Sequence, residues 1–344
     1  MTDPPPGIDL DRLADHLRAH RPDLATGPLR AELLAGGRSN LTYAVNDGTS
    51  EYVLRRPPLG HVLATAHDMA REHRVISALV PTGVPVPQPL LLCTDDSVLG
   101  APFYLMTRVP GAVLRSRAQA DRLGDTQKRD LAHAMIDTLA DLHAVDPLSV
   151  GLGDFGHPDG FLARQVRRWA GQLDRSRSRD LPGADELRDR LAASVPEQAP
   201  PAIVHGDYRL DNLLVETEPP KVNAVLDWEM ATLGDPLTDL GLLVTYWDVF
   251  GAMKQENPVA DAIGPAAGFP TGAELLDRYG ARSQLKLDQL DWYVALACYK
   301  LAVILEGIHY RFIQGKTVGP GFDQIGALVL PLITHGLTTI GREG

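Results

Sequence analysis

Apolar positions along this chain recur first at strand spacing and then, past residue 110, almost wholly at helical spacing. A helix is predicted over Asp9–Ala19, where Leu10, Leu13, Ala14 and Leu17 share one side and acidic residues come early. Leu29–Ala35, Leu41–Asn46 and Tyr52–Arg56 read as three strands. A helix follows over His67–Leu79, and Gln88–Cys93 and Phe103–Arg108 read as two further strands. Val109-Pro110-Gly111 then punctuates the pattern, which sets an expected boundary between residues 1–108 and 109–344. Beyond it Thr126–Ala144 carries a stripe of Leu131, Met135, Leu139 and Leu142, and Phe161–Leu173 is a second helix. Asp235, with Pro236 at the first helical position, is expected to cap a helix running to Trp247. Thr271–Tyr279, Leu287–Ile313 and Gly321–Ile340 complete a helical half.

One stretch interrupts that half. Between Ile203 and Asp227, two short apolar runs, Leu213–Val215 and Val222–Leu226, flank Thr217–Lys221 with its Pro219–Pro220 turn signal, the pattern of a β-hairpin. Residues equidistant from the turn of an antiparallel pair face each other. Asn212 and Asp227 are symmetric about a point between Pro219 and Pro220, so both are expected at the open end, with Asp207 on the loop before it. Three oxygen-bearing side chains in one place suit a hard cation such as Mg²⁺. The same D-x4-N spacing, followed by a strand ending in Asp, serves phosphoryl transfer. One carboxylate orients a hydroxyl while an amide and a second carboxylate hold metal on a nucleotide's phosphates.

Composition narrows the alternatives. The 344 residues are 44% hydrophobic and 22% charged, ordinary for a globular chain long enough for one large domain or two lobes. A net charge of −11, from 33 basic against 44 acidic residues, argues against nonspecific binding to nucleic acid or anionic membrane. Cys93 and Cys298 are too few and too far apart for a disulfide framework or a zinc site, so a reducing cytoplasm is the default expectation. The N-terminal MTDPPPGIDLDRL has no signal-peptide core. Trp292–Ile308 is apolar but contains Lys300 and Glu306 and is short for a span, so it reads as a buried helix.

His205-Gly206-Asp207 through Asn212, followed by Leu226-Asp227-Trp228-Glu229, resembles the active site of the aminoglycoside phosphotransferase/choline kinase family, small-molecule kinases related in fold to protein kinases. The branch it looks most like is the phosphotransferase domain associated with some acyl-CoA dehydrogenases. The resemblance runs from about Leu34 to the final helices and implies an α+β, bilobal protein-kinase-like fold, with a small antiparallel sheet lobe and a larger helical lobe. It implies ATP and Mg²⁺ as cofactors and a small-molecule hydroxyl as acceptor. Asp207 would take the hydroxyl proton late, Asn212 and Asp227 would hold the metal, and Asp239 would brace the catalytic loop from behind. Arg209 would lie near the transferred phosphoryl group or pair with a carboxylate. In Gly36-Gly37-Arg38-Ser39-Asn40, the backbone at Gly37, the Ser39 hydroxyl and Asn40 are candidate phosphate contacts, against an ordinary turn between strands. Arg55, or Arg56 by strand parity, stands where most of the family has a phosphate-gripping Lys, with Glu72 as its helix partner. Main-chain groups around Met106, Arg108 and Val109 would bond the adenine.

The acceptor stays open at this point. Glu229, Asp248, Glu256 and Glu306 are the acids an amine-bearing antibiotic would need, whereas Arg164, Arg167, Arg168, Arg175, Arg177 and Arg179 form either a solvated face or an anion site for a phosphorylated or CoA-bearing substrate. A hydroxyacyl or other metabolic acceptor is favoured over an aminoglycoside. A nucleotide-binding pseudokinase or scaffold is the non-catalytic alternative. His143 is expected to be structural, a cation at a helix C-terminus, and His205 is expected to shape its loop.

Overall fold

The computed structural model describes residues 5–34, 40–59, 67–251, 263–316 and 321–341. The chain divides into two compact units that are not contiguous in sequence, Met1–Gly111 with Asn223–Ala231, and Ala112–Val222 with Thr232–Gly344.

In the first unit, helix α1 (Leu10–His20) begins where Asp9 accepts a hydrogen bond from the Arg12 N–H at 3.1 Å. Strands β1 (Arg30–Leu33), β2 (Leu41–Asn46) and β3 (Glu51–Arg56) precede α2 (Met69–Leu79), β4 (Pro89–Cys93), the single turn α3 (Asp96–Leu99) and β5 (Phe103–Thr107). The five strands form one antiparallel sheet in the order β1-β2-β3-β5-β4. Alternation along the strands sends Tyr43, Val45, Tyr52, Leu54, Phe103 and Leu105 into one core with Leu13 and Leu17 of α1. Helix α2 packs on β4 and β5 with Met69, Val75, Ile76 and Leu79 buried. Two adjacent arginines are therefore sent to opposite faces. Arg56 follows Leu54 towards α1, where its guanidinium bonds the carbonyls of Leu99 (2.8 Å) and Gly7. Arg55 turns to α2.

The segment Asn223–Ala231 lies beyond the expected boundary at residue 108, yet it packs with this first unit. The Val225 N–H donates to the Pro85 carbonyl at 2.8 Å and the Asn223 amide to the Pro110 carbonyl at 2.9 Å. A linear pattern shows where an element is, not which core receives it.

The second unit holds α4 (Arg117–Ala120), α5 (Asp125–Ala144), α6 (Phe161–Ser176), α7 (Ala184–Ala193), β6 (Ala202–Val204), β7 (Leu213–Thr217), the start of β8 (Pro220–Val225), β9 (Thr232–Gly234), α8 (Leu237–Val244), α9 (Gly272–Arg282), α10 (Leu290–Ile313) and α11 (Val329–Ile340). Helix α7 is absent from the sequence reading because only Leu187 and Leu191 mark its apolar side; its burial comes from packing on α10 and α11. Helix α10 is long and apolar enough to cross a membrane, but 78% of its most apolar window is buried inside the molecule, so it serves as a core helix. Gly241 lets α8 approach it closely, since a Cβ there would sit 2.5 Å from the Tyr293 backbone. At the start of α8 the cap lies one residue later than expected: Pro236 is the N-cap, and Asp235 accepts the Leu237 N–H at 3.0 Å from behind it.

β6 pairs antiparallel with β9, and β7 with β8. The turn of the β7–β8 hairpin is Glu218-Pro219, joined by a cis peptide, with β8 beginning at Pro220. Its centre is one residue earlier than the Pro219–Pro220 centre expected from sequence, so equidistance no longer matches Asn212 to Asp227. The loop from His205 to Asn212 joins β6 to β7 and ends in a 3-10 turn, Leu210–Asn212.

Candidate active site

The loop between β6 and β7 is built around Asp207. The Asn212 amide donates to both its main-chain carbonyl (2.8 Å) and its Oδ2 (3.0 Å), while the Tyr246 hydroxyl donates to Oδ1 at 3.2 Å. Both carboxylate oxygens are thus oriented by neutral donors, which suits a group that must accept a hydrogen bond from an incoming hydroxyl. Tyr246 comes from a π-helical stretch, Thr245–Phe250, that follows α8; such stretches often mark functional sites. Arg209 lies over the Tyr246 ring at 4.8 Å, pairs with Asp211 at 3.0 Å and approaches Asp207 at 3.8 Å. A cavity of about 20 Å³, room for about one water, is lined by Arg209, Asp211, Tyr246 and Trp247 among others.

Behind the loop stands Asp239, fully buried on α8. Its Oδ2 accepts the His205 N–H at 2.7 Å and its Oδ1 the Gly206 N–H at 2.8 Å. Gly206 has φ +82°, a backbone conformation that glycine adopts without penalty. His143 Nε2 lies 3.3 Å from the same carboxylate, and its Nδ1 lies 2.8 Å from the Tyr279 hydroxyl. Burial alone would raise the Asp239 pKa, but the His143 hydrogen bond, the charges of His143 and His205 and the Gly206 N–H together hold it below the usual carboxylate value. His143 is thus structural, as its position suggested, but through a buried polar chain rather than through the helix dipole. On the other side, Lys300 of α10 donates to the Gly206 carbonyl at 2.6 Å. Burial lowers its pKa, against the opposing charges of Asp207 and Asp239.

The first unit holds a separate cluster. The register Thr42↔Arg55↔Tyr104 places Arg55 centrally in the sheet. Its Nε donates to Glu72 at 2.9 Å and its Nη2 to Asp227, with Glu229 3.9 Å away. The Tyr104 hydroxyl also donates to Glu72, at 3.1 Å. Asn40 divides its two amide hydrogens between Glu72 and Glu229, each at 3.1 Å, while its oxygen meets His67 Nδ1 at 2.8 Å. Burial raises the Glu72 pKa against the opposing charge of Arg55, and Asp227 adds to the rise. Asp227 itself has φ +65°, where a non-glycine residue carries on the order of 1–3 kcal/mol of strain. Three carboxylates against one guanidinium leave an excess of negative charge in a confined space.

Comparison with known proteins fits these features. A family model described as a phosphotransferase enzyme family matches residues 30–275. The chain belongs to that family. It is 34% identical over 92% of its length to acyl-CoA dehydrogenase family member 11 of Gallus gallus, of which it spans only 41%. The crystal structure of a putative aminoglycoside phosphotransferase from Ralstonia eutropha superposes with a TM-score of 0.84 at 32% identity, covering 97% of this chain and 98% of that one. An aminoglycoside phosphotransferase in ternary complex with AMP-PNP and hygromycin B shares the fold, with a TM-score of 0.62 at 15% identity, covering 96% and 99%. The chain is thus an α+β protein with the kinase-like phosphotransferase fold.

Set against the family motifs, the sequence-predicted residues fall into groups. Asp207, Arg209 and Asn212 come together in the second unit; Asn40, Arg55, Glu72 and Asp227 come together in the first. The structure decides between the two arginines: Arg55 is the partner of Glu72, and Arg56 serves the opposite face. Asn40 is 1% exposed, and its side-chain amide donates to Glu72 and Glu229 of the acidic cluster. Met106 is paired on both sides within the sheet, and Arg108 forms an exposed ion pair with Glu51 at 3.0 Å. Gly37 and Ser39 lie outside the described residues, as does Glu256.

Two acids proposed for an amine-binding cleft have structural duties. Glu306 is fully buried, bonding Ser178 at 2.7 Å and Arg179 at 3.1 Å, and Asp248 accepts the Gly272 N–H at 3.1 Å. Half of the arginine cluster is also committed: Arg164 to the carbonyls of His157 and Asp159, Arg177 to Asp185, and Arg179 to Glu306. Tyr246, Lys300 and Tyr104 are the site residues that sequence reasoning missed. Of these only Lys300 carried a signal, as a charge inside an otherwise apolar helix.

The residues also suit Mg²⁺. Asn212 turns its NH₂ towards Asp207, and Asp227 belongs to a cluster with surplus negative charge. No group of three or more His, Cys, Asp or Glu is arranged for a metal among the described residues. Mg²⁺ on a nucleotide needs none, because it is commonly held by one or two protein oxygens plus phosphates.

Proposed function

We propose that this protein is an ATP- and Mg²⁺-dependent phosphotransferase that moves the γ-phosphoryl group to a hydroxyl of a small molecule, with a hydroxyacyl or other metabolic acceptor favoured. The observation that carries the reading is the Asp207 carboxylate, oriented at both oxygens by Asn212 and Tyr246 on a loop fixed by Asp239. Asp207 accepts a hydrogen bond from the acceptor hydroxyl and takes its proton late in a loose transition state, so positioning matters more than basicity. Asn212 and Asp227 would hold the metal, and Arg55, kept in place by Glu72, would be the phosphate-facing cation. Bound Mg²⁺ supplies charge neutralisation on the phosphate oxygens. Support for ATP comes from the complex of a fold neighbour with AMP-PNP. Support for a metabolic acceptor comes from relatives named for acyl-CoA dehydrogenases and from the structural duties of Glu306 and Asp248.

The test is transfer from labelled ATP across a panel containing hydroxyacyl compounds and aminoglycosides. Mg²⁺-dependent transfer to a hydroxyacyl compound is expected, and Asp207→Ala lowers turnover by roughly 10²-fold or more while ATP still binds. Asp227→Ala weakens Mg–ATP binding as well. Wild-type turnover in Asp207→Ala removes the catalytic assignment. Preference for an aminoglycoside removes the acceptor class, and ATP binding without any Mg²⁺-dependent turnover leaves a pseudokinase.

A further inference from the structure

Two cations in the second unit lie against one buried ring. The Arg168 guanidinium is 5.4 Å and the Lys300 ammonium 5.7 Å from the centroid of Trp169. Trp169 is 3% exposed and faces inward from α6. Among the described residues neither cation has a carboxylate within 4 Å, unlike Arg177 and Arg179 on the segment that follows α6. Lys300 has three N–H donors and, among the described residues, one acceptor, the Gly206 carbonyl next to Asp207. Burial lowers the Lys300 pKa, the charges of Asp207 and Asp239 raise it, and the like charge of Arg168 adds a smaller push in the direction of burial.

We propose that Arg168 and Lys300 form the acceptor's anion subsite, which takes a carboxylate or phosphate group carried by the same molecule that presents its hydroxyl to Asp207. The inference rests on the phosphotransferase reading for what the hydroxyl does there, and it deepens that reading by giving the acceptor a charge. Arg168 supplies a planar fork suited to two oxygens, and Lys300 a point charge tied to the catalytic loop. Trp169 provides the apolar wall that keeps both heads in place. A polycationic aminoglycoside meets like charge at this position.

Binding is measured by calorimetric titration of the full chain with 3-hydroxybutyrate, with glycerol 3-phosphate and with kanamycin. Methyl 3-hydroxybutyrate is the uncharged control. Saturable binding is expected for the carboxylate, the phosphate or both, the better ligand naming the anion, with none for the ester or kanamycin. Arg168→Met, at an exposed position, raises the Kd of the anion at least tenfold, and Lys300→Met does the same. Lys300→Arg restores part of the loss. In turnover the same variants raise KM for the anionic acceptor at least tenfold and change KM for ATP less than twofold. Absence of saturable anion binding in the wild type, or equal Kd in wild type and Arg168→Met, overturns the subsite. Anion binding that depends on Arg168 without phosphoryl transfer upholds the subsite and overturns the phosphotransferase reading instead.

Discussion

Glu72 in the first unit and Asp239 in the second are both buried carboxylates, 1% and 0% exposed, yet their acidities move in opposite directions. Burial pushes each upward. Around Glu72 one guanidinium is shared with Asp227 and Glu229, so the attraction to Arg55 is divided and burial prevails. Around Asp239 there is no such competition: two backbone N–H groups and a histidine serve that carboxylate, and together they prevail over burial. The lesson concerns adaptability. A carboxylate held by backbone donors fixes a loop in one geometry, whereas a cation shared by three carboxylates gains a partner or loses one as other charges arrive.

The sharpest way to break the comparison is at Asp239. Asp239→Asn leaves one of the two loop N–H groups with only a neutral acceptor and the other facing an amide donor, and a loss on the order of 3 kcal/mol is expected, read as the urea midpoint shift. The pH dependence has a definite sign. With its folded pKa below the unfolded value, Asp239 contributes stability that is complete above about pH 4 and is lost as pH falls through the folded value. Glu72, with its folded pKa raised, behaves oppositely: its contribution is complete below about pH 4 and declines as pH rises through the folded value. Unfolding followed by circular dichroism between pH 3 and 7 then shows a shallower acid limb in Asp239→Asn and a steeper one in Glu72→Gln. Equal slopes in both variants would dissolve the contrast.

A comparable contrast in stability, with a binding readout beside it, separates the adjacent arginines. Arg55→Met strips the cation from a cluster of carboxylates, and ATP affinity falls at least tenfold with destabilisation of about 2–4 kcal/mol. Arg56→Met, on the opposite face, lowers the melting temperature through lost carbonyl contacts but leaves ATP affinity within twofold, which titration with a fluorescent nucleotide measures. The smallest effect is at Tyr246. Tyr246→Phe removes one neutral hydrogen bond to Asp207, so kcat falls about five- to tenfold, KM for ATP is unchanged and the melting temperature moves little. A stability loss without a kcat change would make Tyr246 a packing residue only.

Much of this protein was legible in its sequence because the signals are local. Period-2 runs marked all five strands of the first sheet within one or two residues, and the period-3.6 stripe of Leu131, Met135, Leu139 and Leu142 marked α5. The spacing of Asp207 and Asn212 sufficed to bring them together, since both lie on one short loop. The three-dimensional packing alone decided the rest. Sequence periodicity sends Arg55 and Arg56 to opposite faces but does not say which face meets α2; the position of α2 over β4 and β5 decides that. The assignment of Asn223–Ala231 to the first unit, the hydrogen bond from Tyr246 to Asp207 across 39 residues and that from Lys300 to Gly206 across 94 depend on which surfaces are buried together. Burial is a collective property of the packed chain, and no local spacing encodes it.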